Sequence, residues 1–133
     1  MSRRATLSVG ALLAAAGVAL GAFGAHGLED RLLQLGYEAE LQQRLDWFET
    51  GVKYHLFHAL SLVVVTRLGK SRVPGFAFLL GILLFSGSLY AMTFLSADWK
   101  KLGAIVPLGG LSFIVGWIAV AVSTWREDSK PID

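Results

Sequence analysis

Cysteine is absent from the sequence, and the residue patterns that commonly carry enzyme chemistry are absent with it. Without cysteine there is no disulfide, no thiolate metal site and no thiol nucleophile. No serine-histidine-acid order, phosphate-binding loop or zinc motif occurs anywhere in the chain. We therefore predict that the protein is not an enzyme, and we expect neither a cofactor nor a resident metal.

Charge is also scarce, since Asp, Glu, Lys and Arg make up 17% of the residues whereas 54% are hydrophobic. That balance is too apolar for an ordinary water-soluble domain of this size. The basic residues flank the apolar stretches and form no stripe, so no nucleic-acid partner is expected. The composition predicts one integral membrane domain, residues 1–133, whose main partner is the lipid bilayer.

Three stretches contain no charged residue at all: 5–25, 73–97 and 102–125. Roughly 20 apolar residues in a helix cross a hydrocarbon core about 30 Å thick. A fourth apolar stretch reaches this length only when Glu49 and Lys53, which can pair at i, i+4, are included at its outer end. The sequence predicts an all-α membrane protein, a four-helix bundle with spans at 5–25, 48–67, 74–97 and 102–125.

The first stretch follows Arg3 and Arg4 and so also resembles a secretory signal peptide. It is, however, longer than the usual apolar region of about 7 to 15 residues, and its small residues recur at helical spacing. We predict that it stays as the first span. Small residues let helices approach closely in lipid, and those expected at helix contacts in a bundle with little internal room are Gly10, Gly17, Gly21, Gly81, Ser88, Gly109 and Gly116.

Orientation can be predicted from the positions of Lys and Arg, because basic residues near a span resist translocation. Seven of them flank the two termini and the connection at residues 67–72, and five lie on the opposite side. This bias predicts a multi-pass protein of the cell inner membrane with both termini in the cytoplasm. The connection between the first two spans then faces outward.

That outer connection, residues 28–47, shows helical periodicity with a break at Gly36. Leucines occupy positions 28, 32 and 35, and the apolar pattern resumes at Leu41, Leu45, Phe48 and Val52. Its polar face is acidic, unlike that of helices that bind anionic lipid. Two interpretations are open: an amphipathic lid over the outer end of the bundle, or a tether with solvated charges.

Polar residues within the apolar stretches are few and fall close together along the helices. His55 and His58 lie at i, i+3 on one face of the second span. Pro107 is expected to free a backbone carbonyl in the fourth span. The candidate polar intramembrane site, in the outer half of the bundle, comprises His26, Tyr54, His55, His58, Ser86, Tyr90 and Thr93.

Three interpretations of this site are open. The polar groups can be interhelical hydrogen-bond glue, worth about 0.6 kcal/mol for each bond in membranes. They can instead form a site for a proton, an ion or a small solute, because ionisable groups at membrane depth are costly and histidine titrates near physiological pH. A haem or metal between His55 and His58 is the weakest interpretation, since no carboxylate shares their face and His26 is distant.

These segments together resemble one known family: Gly21–Leu28, Tyr54–Leu60, Leu84–Tyr90, Pro107–Gly110 and Gly116-Trp117. The chain resembles the YgdD-like family, a domain-of-unknown-function family of small inner-membrane proteins with eukaryotic relatives. The likeness covers all four predicted spans in order, although Val106 stands where the family usually has threonine. The resemblance implies a multi-pass membrane protein and supplies no activity.

For function, the packed bundle favours a non-enzymatic accessory or interaction protein of the membrane, within a homo-oligomer or a larger membrane complex. The alternative is a narrow proton or small-solute conduit centred on the histidines.

The predicted topology is testable with reporter fusions after residues 40, 70, 99 and 133. Alkaline phosphatase should be active after residues 40 and 99, because only an exported enzyme forms its disulfides, and fluorescent protein should report cytoplasmic ends at residues 70 and 133. Phosphatase activity at residue 70 or 133 would contradict the topology.

Overall fold

The computed structural model describes residues 2–68 and 72–128, and all regular structure within these ranges is helical. The all-α prediction is therefore confirmed. The α-helices are α1 (Arg3–His26), α2 (Leu28–Gln34), α3 (Leu41–Leu68), α4 (Val73–Gly81), α5 (Gly87–Phe94) and α6 (Val106–Asp128). A π-helical turn, Ile82–Ser86, joins α4 to α5, and 3₁₀ segments occupy Glu38–Glu40 and Ala97–Ala104. Of the basic residues counted for orientation, Lys70, Lys130 and the side chains of Arg67 and Arg126 lie outside the described part of the chain.

Three helical segments of the described chain are long and apolar enough to cross a membrane: Arg3–His26, Val73–Phe94 and Asp98–Ser123. They correspond to the first, third and fourth predicted spans. The 28-residue α3 is long enough, but its two histidines and the charges at its ends make it less apolar. A fourth span therefore stays a prediction.

The long helix α3 is central, with α1 on one side and the α4–α5 helix on the other, while α6 packs mainly on α4 and the π-helical turn. Glycines allow the close approach of α1 to α3. A methyl group at Gly10 would lie 3.0 Å from Leu62 Cβ, and one at Gly17 would lie 2.7 Å from Leu56 Cδ2. Gly21 is looser, with Val52 at 3.5 Å.

The α4–α6 interface is tighter still. A methyl group at Gly81 would overlap the Phe113 ring, and one at Gly116 would overlap the Phe78 ring. At Gly109 the obstacle is the backbone of Phe85, which is 2.8 Å away at Cα. Ser88 is also buried, at 7% exposure. The predicted contact residues thus lie within the fold, and of the two α6 glycines Gly109 meets backbone whereas Gly116 meets side chains.

The π-helical turn was not predicted from the sequence. The Gly87 N–H donates to the Ile82 carbonyl, five residues back, which adds one residue to that turn. The α4 half packs on α6 through Ala77 and Gly81, and the α5 half turns Tyr90 towards α3. The turn therefore lies where the helix changes its packing partner.

The outer connection differs from its prediction. Gly36 interrupts the helical structure as expected, with φ of 80°. However, α3 already begins at Leu41, so only α2 and one 3₁₀ turn lie between the two long helices. The apolar repeat from Leu41 runs in phase into the span with no helix breaker, so one helix results. Leu28 and Leu32 are buried, whereas Leu35 is 39% exposed and does not belong to the packed face.

Two helix ends also correct the sequence analysis. The third helix ends at Phe94 instead of residue 97, and residues 102–104 of the fourth predicted span are 3₁₀ rather than α-helical. Pro107 lies in the first turn of α6, where a missing N–H costs nothing. It does not free a carbonyl within the helix, since the N–H of a residue in the first helical turn has no partner inside the helix.

Gly109→Ala should destabilise the protein by about 1–3 kcal/mol, because the added methyl group meets the Phe85 backbone. Gly87→Ala is the matched control, since its nearest neighbour is the Ile82 oxygen at 4.0 Å. Both changes gain the same helix propensity, so their difference isolates packing. The measurement is the free energy of unfolding in detergent micelles, and equal values for the two variants would refute the tight α4–α6 contact.

Candidate functional site

The two histidines of α3 both face the interior, with exposures of 5% for His55 and 6% for His58. Their partners differ, because a spacing of three residues turns the two rings by about 60° relative to each other around the helix. His55 faces α5 and α1, and His58 faces α6.

His58 is fully satisfied. Its Nδ1 lies 2.8 Å from the Tyr54 carbonyl oxygen, which can only accept, so Nδ1 carries the proton. Its Nε2 then accepts from Trp117 Nε1–H at 3.3 Å, and its ring stacks on Phe113 with centroids 3.5 Å apart. Protonating Nε2 would set two N–H donors against each other. The surroundings of His58 therefore select the neutral ring.

His55 has a spare polar atom. Its Nδ1 shares a hydrogen bond with Tyr90 Oη at 3.2 Å, while its Nε2 is buried and has no hydrogen bond within 3.5 Å among the described residues, although the Leu13 backbone of α1 interacts with the ring. The adjacent Cδ2 lies 3.7 Å from where a Gly17 side chain would begin, so this edge of the ring faces α1. The two histidines are thus chemically unlike.

Of the other predicted site residues, Tyr54 stacks beside His58 with ring centroids 6.0 Å apart, and the rest share no hydrogen bond with the histidines within the described chain. Ser86 is buried, and its Oγ has no partner within the described residues. Thr93 is buried and donates to the Leu89 carbonyl at 2.8 Å. Tyr54 is 40% exposed and packs on Phe85. His26 is exposed at the end of α1 and contributes to a different surface.

An aromatic layer separates the histidines from the outer end of the bundle. Phe48 lies at its centre, with ring centroids 5.3 to 6.0 Å from those of Tyr90, Phe94 and Phe23. Gly51 makes room for this layer, since a methyl group there would lie 2.9 Å from the Tyr90 ring. The His55–Tyr90 pair therefore lies beneath a layer of tilted and edge-to-face rings.

Arg44 is not among the residues predicted for the site, because its position in the sequence indicates a loop charge on the outer side. Arg44 is 1% exposed. Its Nη1 lies 2.9 Å from the Met92 carbonyl oxygen, 2.7 Å from that of Thr93 and 3.0 Å from that of Leu95. Its Cζ lies 3.5 Å above the Tyr37 ring centroid. The one available signal was the spacing of Glu40 and Arg44 at i, i+4.

Glu40 completes this cluster. Its Oε2 pairs with Arg44 Nη2 at 2.8 Å, and its Oε1 accepts from Lys100 Nζ at 2.7 Å. The hydrogen bond from Lys100, followed by that from Arg44, holds the pKa of the Glu40 carboxyl below its ordinary value of 4.5. The carboxylate thus ties the start of α3 to the 3₁₀ segment before α6.

Within the described part of the chain, a cleft opens at each end of the bundle. The outer one encloses about 550 Å³ between α1, α2 and α3, and its titratable lining residues are His26, Glu29, Asp30, Asp46 and Glu49. The predicted Glu49–Lys53 pair forms beside it, at 3.5 Å. The second cleft, of about 310 Å³, lies at the opposite end. Among the described residues, no three His, Asp or Glu side chains stand close enough to hold a metal ion.

The family described as "Protein of unknown function (DUF423)" matches residues 20–110. The chain belongs to this family. It is 42% identical over 122 residues to the UPF0382 membrane protein YwdK of Bacillus subtilis (strain 168), which covers 86% of this chain and 91% of the relative. It is 40% identical to a UPF0382 membrane protein of Haemophilus influenzae, covering 84% and 86%.

The UPF0382 inner membrane protein YgdD of Escherichia coli (strain K12) is 35% identical over 122 residues, covering 86% of this chain and 85% of the relative. The predicted family resemblance is thereby confirmed. No solved structure matches the fold. The matched range, residues 20–110, includes α3, the π-helical turn and the Arg44 cluster. These features therefore lie in the part of the chain that matches the family.

The Glu40 contacts should make stability depend on acid. Since the folded-state pKa of Glu40 is depressed, its contribution is complete above the ordinary value of 4.5 and is lost as the pH falls through the folded value below it. Glu40→Gln should be less stable at neutral pH and show a shallower loss of stability below pH 4.5. The readout is the melting temperature in detergent against pH, and Glu29→Gln is the control. Parallel curves for the natural chain and Glu40→Gln would contradict this.

Proposed function

We propose that the protein is a non-enzymatic accessory protein of the cytoplasmic membrane that acts through contacts with other membrane components. It is a bundle of four spans with both termini in the cytoplasm. The observation that carries the proposal is the hydrogen bonding of His58, whose two nitrogens are both used to hold α3 to its own backbone and to α6. A residue committed in this way serves helix association rather than proton movement.

The surroundings of the site support the same conclusion. His58 is stacked on Phe113, and His55 lies below the layer built on Phe48. The two clefts lined by described residues lie at the ends of the bundle, away from the histidines. A protein that recognised or modified a solute at membrane depth would need space beside its polar groups, because most ligand sites are concave and bury much of their ligand.

The length of α3 supports a fourth span. Arg44 anchors its outer part to the end of α5, and the Thr66 carbonyl accepts from Arg3 Nε at the other end. The roughly 22 residue steps between these anchors rise about 33 Å, which matches the hydrocarbon core. Between the anchors Lys53 carries the one basic charge, and it is 56% exposed and long enough to reach the headgroups.

A second candidate function is a narrow proton or small-solute conduit. It is favoured by one specific observation, that His55 Nε2 and Ser86 Oγ are buried without partners in the described part of the chain. Unpaired polar atoms at this depth are costly, and a passing proton or a water chain would satisfy them.

His55→Gln and His58→Gln distinguish the two functions. An amide can donate and accept but does not titrate. If the histidines only hold the helices together, both variants should fold and lose at most about 1–2 kcal/mol of stability. Both should also restore the normal phenotype to a strain from which the gene has been deleted. Tyr90→Phe is the matched control, because it removes the hydroxyl that pairs with His55 while keeping the ring.

Loss of complementation by folded His55→Gln, with proton flux into proteoliposomes that the same variant abolishes, would replace the accessory proposal with the conduit. Recovery of one stoichiometric membrane partner with the natural chain, and no flux, supports the accessory role.

A further inference from the structure

The smaller cleft, where α1 begins and α3 ends, combines charge with an apolar wall. It encloses about 310 Å³ and is lined by Arg3, Arg4, Leu7 and Thr66. Leu7 lies about one helical turn from the two arginines along α1, on the side towards the middle of the span. The cleft therefore presents two guanidinium groups at the end of a membrane-crossing helix and an aliphatic side chain just inside it.

The geometry of Arg3 shows how the cleft is held. Its Nε donates to the Thr66 carbonyl at 2.9 Å, which fixes the side chain across the gap between α1 and α3. Thr66 itself is held by a bond from its Oγ1 to the Val63 carbonyl at 2.6 Å. One wall of the cleft is thus set by hydrogen bonds within and between helices.

The start of α1 is itself already capped. Ser2 Oγ accepts from the Ala5 N–H at 3.2 Å, and Thr6 bonds back to the Ser2 carbonyl. Two arginines come next in the first helical turn, where the helix dipole disfavours positive charge. The positive end of the helix dipole repels the two arginines, and an anion bound to them would be attracted to that same end. The anion-binding groups are therefore the arginine side chains rather than the helix amides.

We propose that this cleft binds the phosphate of an anionic phospholipid. A guanidinium group matches phosphate oxygens in a two-bond fork, and the exposed Arg4 supplies that fork at the opening of the cleft. Arg3, which is held to Thr66, adds positive charge, and Leu7 provides an apolar wall that suits the start of an acyl chain. The depth also fits, because the first residue of a spanning helix lies at headgroup level. Assigning the lipid to the cytoplasmic leaflet rests on the proposed topology, whereas the anion site does not.

The test measures lipid retention by the purified full chain in detergent, using native mass spectrometry with added phosphatidylglycerol. The natural chain should bind one phosphatidylglycerol more tightly than phosphatidylcholine. Arg4→Gln should weaken phosphatidylglycerol binding about fivefold, since each basic residue near a lipid surface contributes an interaction of that size. Arg4→Lys keeps the charge without the fork and should fall between the two.

Arg72→Gln is the matched control, because Arg72 is an exposed arginine at the same end, just before α4, and does not line the cleft. Unchanged binding by Arg72→Gln with weakened binding by Arg4→Gln supports the site. Equal losses in both variants, or none in Arg4→Gln, overturn it in favour of diffuse attraction between the basic end and any anionic surface. Melting temperatures of both variants establish that each is folded.

Competition with inorganic phosphate shows whether the cleft binds the phosphate of a lipid or the free phosphate ion. If millimolar phosphate leaves phosphatidylglycerol bound, the ligand is the lipid. If phosphate binds as tightly as the lipid and displaces it, the arginines form a site for the free anion, and the lipid assignment is overturned. Because retention is measured on the isolated protein, neither result depends on the accessory function.

Discussion

The bond from Arg44 to the end of α5 is the interaction on which the outer half of the protein depends. A helix leaves its last four carbonyls without partners of its own, and in a membrane protein water reaches them only where the surface is open. Here the guanidinium supplies donors to Met92, Thr93 and Leu95, while Tyr37 covers its face and Glu40 balances its charge. Removing the arginine would leave three carbonyls without this donor, and Lys100 alone would then pair with the Glu40 carboxylate.

This cluster also explains why the outer connection is ordered. The turn at Gly36 brings Tyr37 and Glu40 beside Arg44, and Lys100 joins from the far side. Two stretches that are distant in sequence, residues 37–44 and 92–100, are thus held together by these side chains. The buried leucines of α2 then cover Phe48 and the ring layer beneath it. Of the two interpretations drawn from the sequence, the lid describes this packing better than the tether.

The features that could be predicted are those set by the residue pattern within one helix. The length of the apolar stretches located the three segments that are long and apolar enough to cross a membrane, and small-residue spacing located Gly81, Gly109 and Gly116 at helix contacts. Arg44 could not be predicted, because its partners are backbone carbonyls that only tertiary packing brings near. The different roles of His55 and His58 were hidden for the same reason, since Trp117 is 59 residues away from His58 in the chain.

The π-helical turn has a consequence for how this chain can vary in length. Each residue added to a helix rotates the rest of that helix by about 100° and advances it by about 1.5 Å. Deleting one residue between Ile82 and Ser86 would restore regular hydrogen bonding and at the same time turn Tyr90 and Thr93 away from α3 relative to Ala77 and Gly81. A regular α-helix at this point is therefore incompatible with packing on both α6 and α3. The extra residue acts as a phase shift that lets one helix serve two differently oriented partners.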